Sequence, residues 1–484
     1  MAHDVRATVR RIASGSWKPC HRAILVIVVS QISCCIACAD ELDDYIVQQM
    51  QRRHIPGMSI AIVDGGKIVK AKGYGVLEAG KATPVTPDTL FMAASISKTV
   101  TATAALVYVD NGKLSLEENI NSKLTTWKVP DSEFARESKV TLRSALSHTA
   151  GLTTPYFNGY AVGDPLPSLV QILDGQEPAN SKPVRVEFVP GTKWSYSGGG
   201  YLVVQQLLID VSGKPFPELM QDSVLGPLAM TNSTFQQPLP SGRASQAATG
   251  HGNDRAKVVG RWHVYPEMAA AGLWTTASDL GRFVIGLQQA LAGVPKSVLT
   301  QSTARQMVTV QKEEYGLGTF LNGKDDSLRF QHFGRDEGFD SAMIAYAATG
   351  KGAIILFNAN DDSSMGRRIF GEIAEHYHWP GYPKPPHRSA ATASVSPDVL
   401  AKYEGQYRIA PDQVITFAAR NGRLFTQSDG MDDEEFALEA EQRFVSAERN
   451  VEATFTTGTD GLVTGLLWKN RDRGVERTAP RVAR

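Results

Sequence analysis

Ser95-Ile96-Ser97-Lys98-Thr99-Val100-Thr101-Ala102-Thr103-Ala104-Ala105-Leu106-Val107 is the stretch from which the rest of the chain can be read. Ile96, Val100, Ala104 and Val107 recur at helical spacing, and Asn111-Gly112 follows as a stop signal. The pattern predicts a helix that begins at Ser95. Ser95 and Lys98 then sit one turn apart on the same face. A serine hydroxyl is a weak nucleophile until a base takes its proton. A lysine desolvated beside it has a lowered pKa and can be that base. The helix N-terminus adds positive potential and unpaired N–H groups where an oxyanion would form. Taken alone, the four residues read more simply as a capping serine beside an unrelated surface lysine.

Two further stretches carry chemistry. Trp194-Ser195-Tyr196-Ser197-Gly198-Gly199-Gly200-Tyr201 is a glycine-rich turn leading into a helical pattern over Tyr201 to Val211. It could present the Tyr196 phenol as a proton shuttle near a lysine, although by itself it reads more simply as a core tyrosine before a loop. His332-Phe333-Gly334-Arg335-Asp336-Glu337-Gly338-Phe339 places a glycine in a strand-like run. Such a strand could bring a backbone N–H close to a substrate carbonyl, although taken alone it reads more simply as a bulged strand with a half-buried histidine.

In this order the three motifs resemble the serine β-lactamase and penicillin-binding-protein superfamily. The likeness is to its class C β-lactamase-like branch, peptidase family S12, which includes D-aminopeptidases, D-Ala-D-Ala carboxypeptidases and carboxylesterases. Leu146-Ser147-His148-Thr149-Ala150-Gly151-Leu152, Pro227-Leu228-Ala229-Met230, Gly272-Leu273-Trp274-Thr275-Thr276 and Tyr315-Gly316-Leu317-Gly318 also look like that family. The resemblance implies that Ser95 is acylated and that Lys98 and Tyr196 share the base and acid work. It implies that His332 faces the substrate's carboxylate side and tunes Tyr196. The backbone N–H groups of Ser95 and Arg335 would form the oxyanion hole, with Ser197, Gly198, Phe333 and Gly334 contacting substrate. One departure stands out. The family's Tyr-x-Asn is Tyr196-Ser197-Gly198 here, which puts efficient β-lactam turnover in doubt and could make room for a bulkier acyl group. His148 is expected to be structural.

Around these motifs the chain divides. Ser59–Val63 and Lys67–Ala71 flank Asp64-Gly65-Gly66 as a hairpin. A helix is expected over Asp279 to Ala290, and strands near Ala342–Tyr346 and Ala353–Phe357. Strands, helices, then strands suggest an α+β domain over 40–378, its antiparallel sheet closed by the first and last segments and flanked by helices, a β-lactamase/transpeptidase-like fold with a helical subdomain. Residues 379–397, rich in Pro, Ala and Ser, read as a linker. Residues 398–484 alternate in short runs around Asn421-Gly422 and Asp460-Gly461, which predicts a small all-β barrel. That region resembles a lipocalin-like barrel.

The N-terminus has the pattern of an export signal. Arg6, Arg10, Arg11, Lys18 and Arg22 precede the apolar run Ala23–Val29, and Ala37-Cys38-Ala39 fits a cleavage site. A signal peptide over 1–39 and a periplasmic or secreted product are expected, with lipoprotein anchoring at Cys38 a weaker fit. The four cysteines, Cys20, Cys34, Cys35 and Cys38, all precede the cut, so the product would have neither disulfides nor a cysteine nucleophile. Removing 1–39 takes away five bases and one acid from a chain of zero net charge, leaving −4. That balance argues against nucleic acid as a partner. No cofactor is expected and no metal site, His376 and His378 lacking a third ligand. No stable membrane span is expected after cleavage, and homo-oligomers are left open.

The functional expectation is a serine hydrolase cleaving a peptide or amide bond of a small or linear peptide, D-residues included, through a Ser95 acyl-enzyme. The alternatives are a carboxylesterase and a non-turnover, penicillin-binding or scaffold protein. The β domain is open in role.

Overall fold

The computed structural model describes residues 41–482, except 362–363, 384–394, 411–412, 421–422, 429–430, 447–450 and 471–474. The expected signal peptide, most of the linker and the Asn421-Gly422 turn lie outside the described residues.

The N-terminal part is built on a six-stranded antiparallel sheet. Its strands are β1 (Gly57–Asp64), β2 (Lys67–Gly75), β3 (Phe320–Asn322), β4 (Arg329–Asp336), β5 (Phe339–Tyr346) and β6 (Gly352–Phe357), in the order β2-β1-β6-β5-β4-β3. β1 and β2 form the expected hairpin, with Gly65 and Gly66 at φ +57° and +70°, as a two-residue turn of this hand requires. β1 pairs with β6 from Met58↔Phe357 to Val63↔Gly352, so the first and last segments do close the sheet. The two sides of the hairpin differ. β1 is buried almost throughout, whereas β2 alternates towards solvent as an outer strand.

Four helices matter for the site: α1 (Ile96–Asp110), α2 (Gly198–Ser212), α3 (Met268–Ala271) and α4 (Ala277–Ala292). α1 is buried on almost every side, from Ile96 to Leu106 and again at Tyr108, which is why its sequence is apolar and small rather than strongly amphipathic. Its buried threonines find carbonyl acceptors: Thr99 donates to the distant Gly318 O at 2.7 Å and Thr103 to Thr99 O, one turn back, at 3.0 Å. α2 starts on Ser197, whose hydroxyl accepts from Gly200 N, and stops at Gly213 with φ +67°. α4 starts on Thr276 and packs on the hairpin end of the sheet, where a Cβ at Gly281 would lie 3.0 Å from Ile68.

The C-terminal part is an eight-stranded antiparallel meander, β7 (Gly405–Ala410), β8 (Gln413–Arg420), β9 (Arg423–Ser428), β10 (Met431–Ala440), β11 (Arg443–Ser446), β12 (Val451–Thr457), β13 (Val463–Asn470) and β14 (Val475–Pro480). A bridge between Tyr407 and Arg481 brings its ends together into a nearly closed barrel. Its interior is filled by rings. Tyr403, Tyr407, Phe417, Phe436, Phe444 and Phe455 meet at centroid distances of 4.7–5.6 Å. A small barrel can be filled by side chains or hold a ligand as lipocalins do. This one is packed, so the barrel was anticipated correctly and the lipocalin likeness gains no support. No helix among the described residues is long and apolar enough to cross a membrane.

Candidate active site

Ser95 stands at the N-terminus of α1 but does not cap it. It already has helical φ and ψ, and its hydroxyl makes no capping bond. The residue before it, Ala94, has φ +47°, a conformation strained for a side chain with a Cβ and common where a chain must turn sharply into a site. The hydroxyl is engaged by Lys98 Nζ at 3.0 Å, and the same amine donates to Ala270 O in α3 at 2.8 Å. Lys98 is 2% exposed. The simple reading of a capping serine beside a surface lysine therefore fails on both residues. Burial pulls the Lys98 ammonium down to about 7, partly opposed by the Asp336 carboxyl.

Tyr196 closes the other side. Burial pushes the pKa of its phenol well up, with the Ser95 hydroxyl acting against that shift, so it stays protonated. Lys98 Nζ lies 5.1 Å from the Tyr196 ring centroid and 5.8 Å from that of Tyr201. His148 backs this phenol. Its ring is 4.3 Å from Tyr196, 4.7 Å from Tyr315 and 5.4 Å from Tyr201, and its Nδ1 accepts from Ser197 N at 3.1 Å. Burial and the nearby Lys98 and His332 hold it well below the usual imidazole range. His148 thus supports the turn that carries Tyr196.

The third wall is β4. It pairs with β5 along its whole length, but β3 covers it only from Arg329 to Gln331. From His332 onward its second edge has no partner among the described strands. Gly334 is where that edge meets Ser95. A Cβ there would lie 2.5 Å from Ala93 O and Ser341 Oγ and 2.8 Å from Ser95 N, so only glycine lets strand and helix approach this closely. The backbones of Ser95 and Arg335 are thereby brought together. The Arg335 side chain is gripped by Asp340 through two bonds of 2.8 and 2.7 Å.

Three expected residues sit differently from what the motifs suggest. His332 is 1% exposed. Burial, with Lys98 second, pulls it down to about 3, so it is neutral. Its Nδ1 donates to Phe333 O at 2.8 Å, with Tyr315 Oη at 3.5 Å from Nε2. A neutral imidazole brings no positive charge to a substrate carboxylate. The Ser197 hydroxyl donates to Thr153 O at 2.9 Å while capping α2, which commits it to structure. Gly198 does not open a subsite. A Cβ there would lie 2.7 Å from Phe157 Cε2 and 3.0 Å from Pro155 O, so the volume is taken. Phe333 is 39% exposed on the outer face of β4.

The structure also shows groups the motifs did not flag. α3 is clamped by Gln205, which accepts from Ala269 N at 2.8 Å and donates to Pro266 O at 3.3 Å. This fixes the carbonyl that holds Lys98. Glu267, at the start of that turn, is 0% exposed with both carboxylate oxygens unbonded, and burial pushes it up to about 8. Asp336, also buried, is pushed well above the usual carboxylate range. Nothing local in Tyr265-Pro266-Glu267-Met268 signals burial, because the elements that enclose Glu267 are distant in sequence. Among the described residues no group of three or more metal-ligating side chains could hold a metal ion.

Residues 42–378 match the family model described as Beta-lactamase. The chain belongs to this family. Residues 389–479 match a domain of unknown function, DUF3471. The chain is 25% identical to Protein flp of Staphylococcus aureus (strain N315) over 331 residues, 66% of this chain and 63% of that protein. It therefore spans less than two thirds of that relative's length. It is 23% identical to penicillin-binding protein 4* of Bacillus subtilis (strain 168) over 88% of this chain and 95% of that one. The fold is shared with the octameric penicillin-binding protein homologue from Pyrococcus abyssi, at TM-score 0.61 and 20% identity over 91% of this chain and 99% of the other. It is also shared with D-alanine carboxypeptidase AmpC from Burkholderia cenocepacia, at TM-score 0.55 and 22% identity over 70% and 99%.

Proposed function

We propose that this chain is an exported serine hydrolase that opens a peptide or amide bond of a small substrate through an acyl-enzyme on Ser95. The observation that carries the reading is the 3.0 Å contact between a buried, low-pKa amine and the serine hydroxyl. Neutral Lys98 takes the proton from Ser95 Oγ as that oxygen bonds to the substrate carbonyl carbon. The carbonyl oxygen gains charge against the N–H groups of Ser95 and Arg335. Tyr196 gives its proton to the departing nitrogen as the scissile bond breaks, and is reprotonated through Lys98. Water then attacks the ester and the same groups run in reverse, freeing the acid and Ser95. The edge of β4 that β3 leaves uncovered beyond Gln331 is suited to align an extended peptide.

A carboxylesterase is the second reading, favoured by two observations. His332 is neutral and the Arg335 guanidinium is held by Asp340, so neither offers a free positive charge to a substrate carboxylate. Esters also need less help from Tyr196, since alkoxide or phenoxide leaves more readily than an amine.

A serine-directed phosphonate tests the common core. One adduct by intact mass, mapped to Ser95 and absent in Ser95→Ala, is expected. A panel of p-nitrophenyl esters and D- and L-aminoacyl anilides then separates the readings. Absence of anilide turnover ends the amide reading, and turnover that survives Ser95→Ala ends both.

A further inference from the structure

Residues 153–158 cross beside the start of α2 and are fastened to it. Thr154 has φ +65° and its carbonyl accepts from Gly199 N at 2.9 Å. Thr153 O accepts from the Ser197 hydroxyl. The Thr153 hydroxyl donates to Pro183 O at 3.0 Å, and that of Thr154 to Lys182 O at 3.2 Å. The segment is therefore held on two sides, and what it presents is aromatic.

Phe157 takes the volume that a side chain at position 198 would fill. Tyr156 is 74% exposed, yet its ring stacks on Tyr196 at 5.9 Å with planes 29° apart. An exposed ring that lies over Tyr196, beside the Phe157 ring, offers adjoining aromatic surface next to the site. Next to it, position 198 has no side chain to bond a polar group on the substrate.

We propose that Tyr156 and Phe157 form the specificity surface of this site and receive an apolar, preferably planar aromatic, group of the substrate. This rests on the acyl-enzyme reading. The chemistry of the wall supports it. A ring laid on Tyr156 gains stacking and loses water on both faces. An amide laid in the same place leaves its N–H or C=O without a side-chain partner at 198. Pocket contacts of this size typically separate substrates by about 10–200-fold.

The test varies the substrate on both sides of the scissile bond. One series is p-nitrophenyl acetate, butyrate and phenylacetate, and the other is methyl, butyl and phenyl acetate followed by pH-stat. In at least one series kcat/KM should favour the aromatic member by about tenfold beyond the intrinsic reactivity difference measured in hydroxide. Tyr156→Ala and Phe157→Ala should each reduce the aromatic member at least about fivefold more than the acetate reference. Phe157→Leu, which keeps most of the volume, should lose the same selectivity and so exclude simple collapse of the segment. No aromatic preference in either series, or equal losses on all substrates, would overturn the proposal. A packing arm stands beside it. Gly198→Asn should lower the melting temperature, and Gly198→Asn with Phe157→Ala should recover most of that loss. A fully stable Gly198→Asn single variant would overturn the packing claim. Phosphonate labelling separates the two levels. An unlabelled Ser95 sinks the acyl-enzyme reading itself, whereas a labelled Ser95 without aromatic preference sinks only this proposal.

Discussion

Around Ser95 the interior of the chain holds an amine, two imidazoles and two carboxyls: Lys98, His148, His332, Glu267 and Asp336, none more than 4% exposed. The interior of the C-terminal barrel holds Tyr407, Phe417, Phe436, Phe444 and Phe455, none more than 1% exposed. Both are closed to water, but they use burial differently. In the barrel, desolvation acts on apolar rings and stabilises the fold. Around Ser95 it acts on ionisable groups and opposes their charged forms. Lys98 falls towards 7 and Glu267 rises towards 8 for that one reason. A region that retains such groups gives up stability that an apolar interior would keep.

The contrast can be broken most directly at Ser95. Ser95→Ala should lower kcat by at least about 10³-fold, with the melting temperature little changed, as read by steady-state kinetics and calorimetry. A variant that kept activity, or lost mainly stability, would place Ser95 with the structural residues. The reverse is expected at the centre of the barrel. Phe455 touches Tyr403, Tyr407, Phe417 and Phe444, and Phe455→Ala should destabilise by about 3–5 kcal/mol. Urea unfolding followed in the full chain measures this. The rate of phosphonate labelling at Ser95 under native conditions should stay within about twofold, and a large fall would link the two regions.

Glu267 sharpens the comparison with a sign. Its folded pKa, about 8, is raised above the ordinary carboxyl value of 4.5. The unfolded chain therefore releases this proton first as pH rises. Glu267 is harmless below pH 4.5, weakens the fold progressively between there and about 8, and adds no further loss above. Glu267→Gln should accordingly be more stable than the parent at pH 8–9, on the order of a few kcal/mol, and equal to it near pH 4.5. A melting-temperature series against pH decides it, and destabilisation at pH 9 would show that the carboxylate has a partner. The smallest effect is the acid limb of activity. If Lys98 must be neutral, kcat/KM should fall about tenfold per pH unit below about 7 and level off above it. A flat profile from pH 5 to 9 on an ester with pH-independent ionisation would remove Lys98 as the base.

Much of this was legible from local pattern. The helix after Ser95 was expected from Ile96 to Val107 with a stop at Asn111-Gly112, and it runs from Ile96 to Asp110. The helix after Tyr196 begins three residues earlier than its apolar pattern, because the Ser197 cap, not the first apolar residue, sets its start. Asp460-Gly461 does join β12 and β13, but within a five-residue connection over 458–462 and not as a two-residue turn, since Gly458 N bonds Leu462 O and Gly461 N bonds Gly458 O. The short ladders Phe91–Met92 with Trp274–Thr275 and Tyr160–Ala161 with His263–Val264 were not foreseen. Two-residue pairings over a hundred or more positions leave no periodicity to detect.

Position 198 marks the boundary between the two kinds of information. Sequence alone established that a glycine follows Tyr196 by two residues, that a lysine follows Ser95 by three, and that sheet, helices and barrel come in this order, since spacing and turn chemistry are local properties. Only the tertiary structure decided that Phe157 fills the space beside that glycine, that burial pulls the Lys98 ammonium down to about 7, and that His332 is uncharged. Volume and desolvation are set by groups far away along the chain, so no single stretch of residues can encode them.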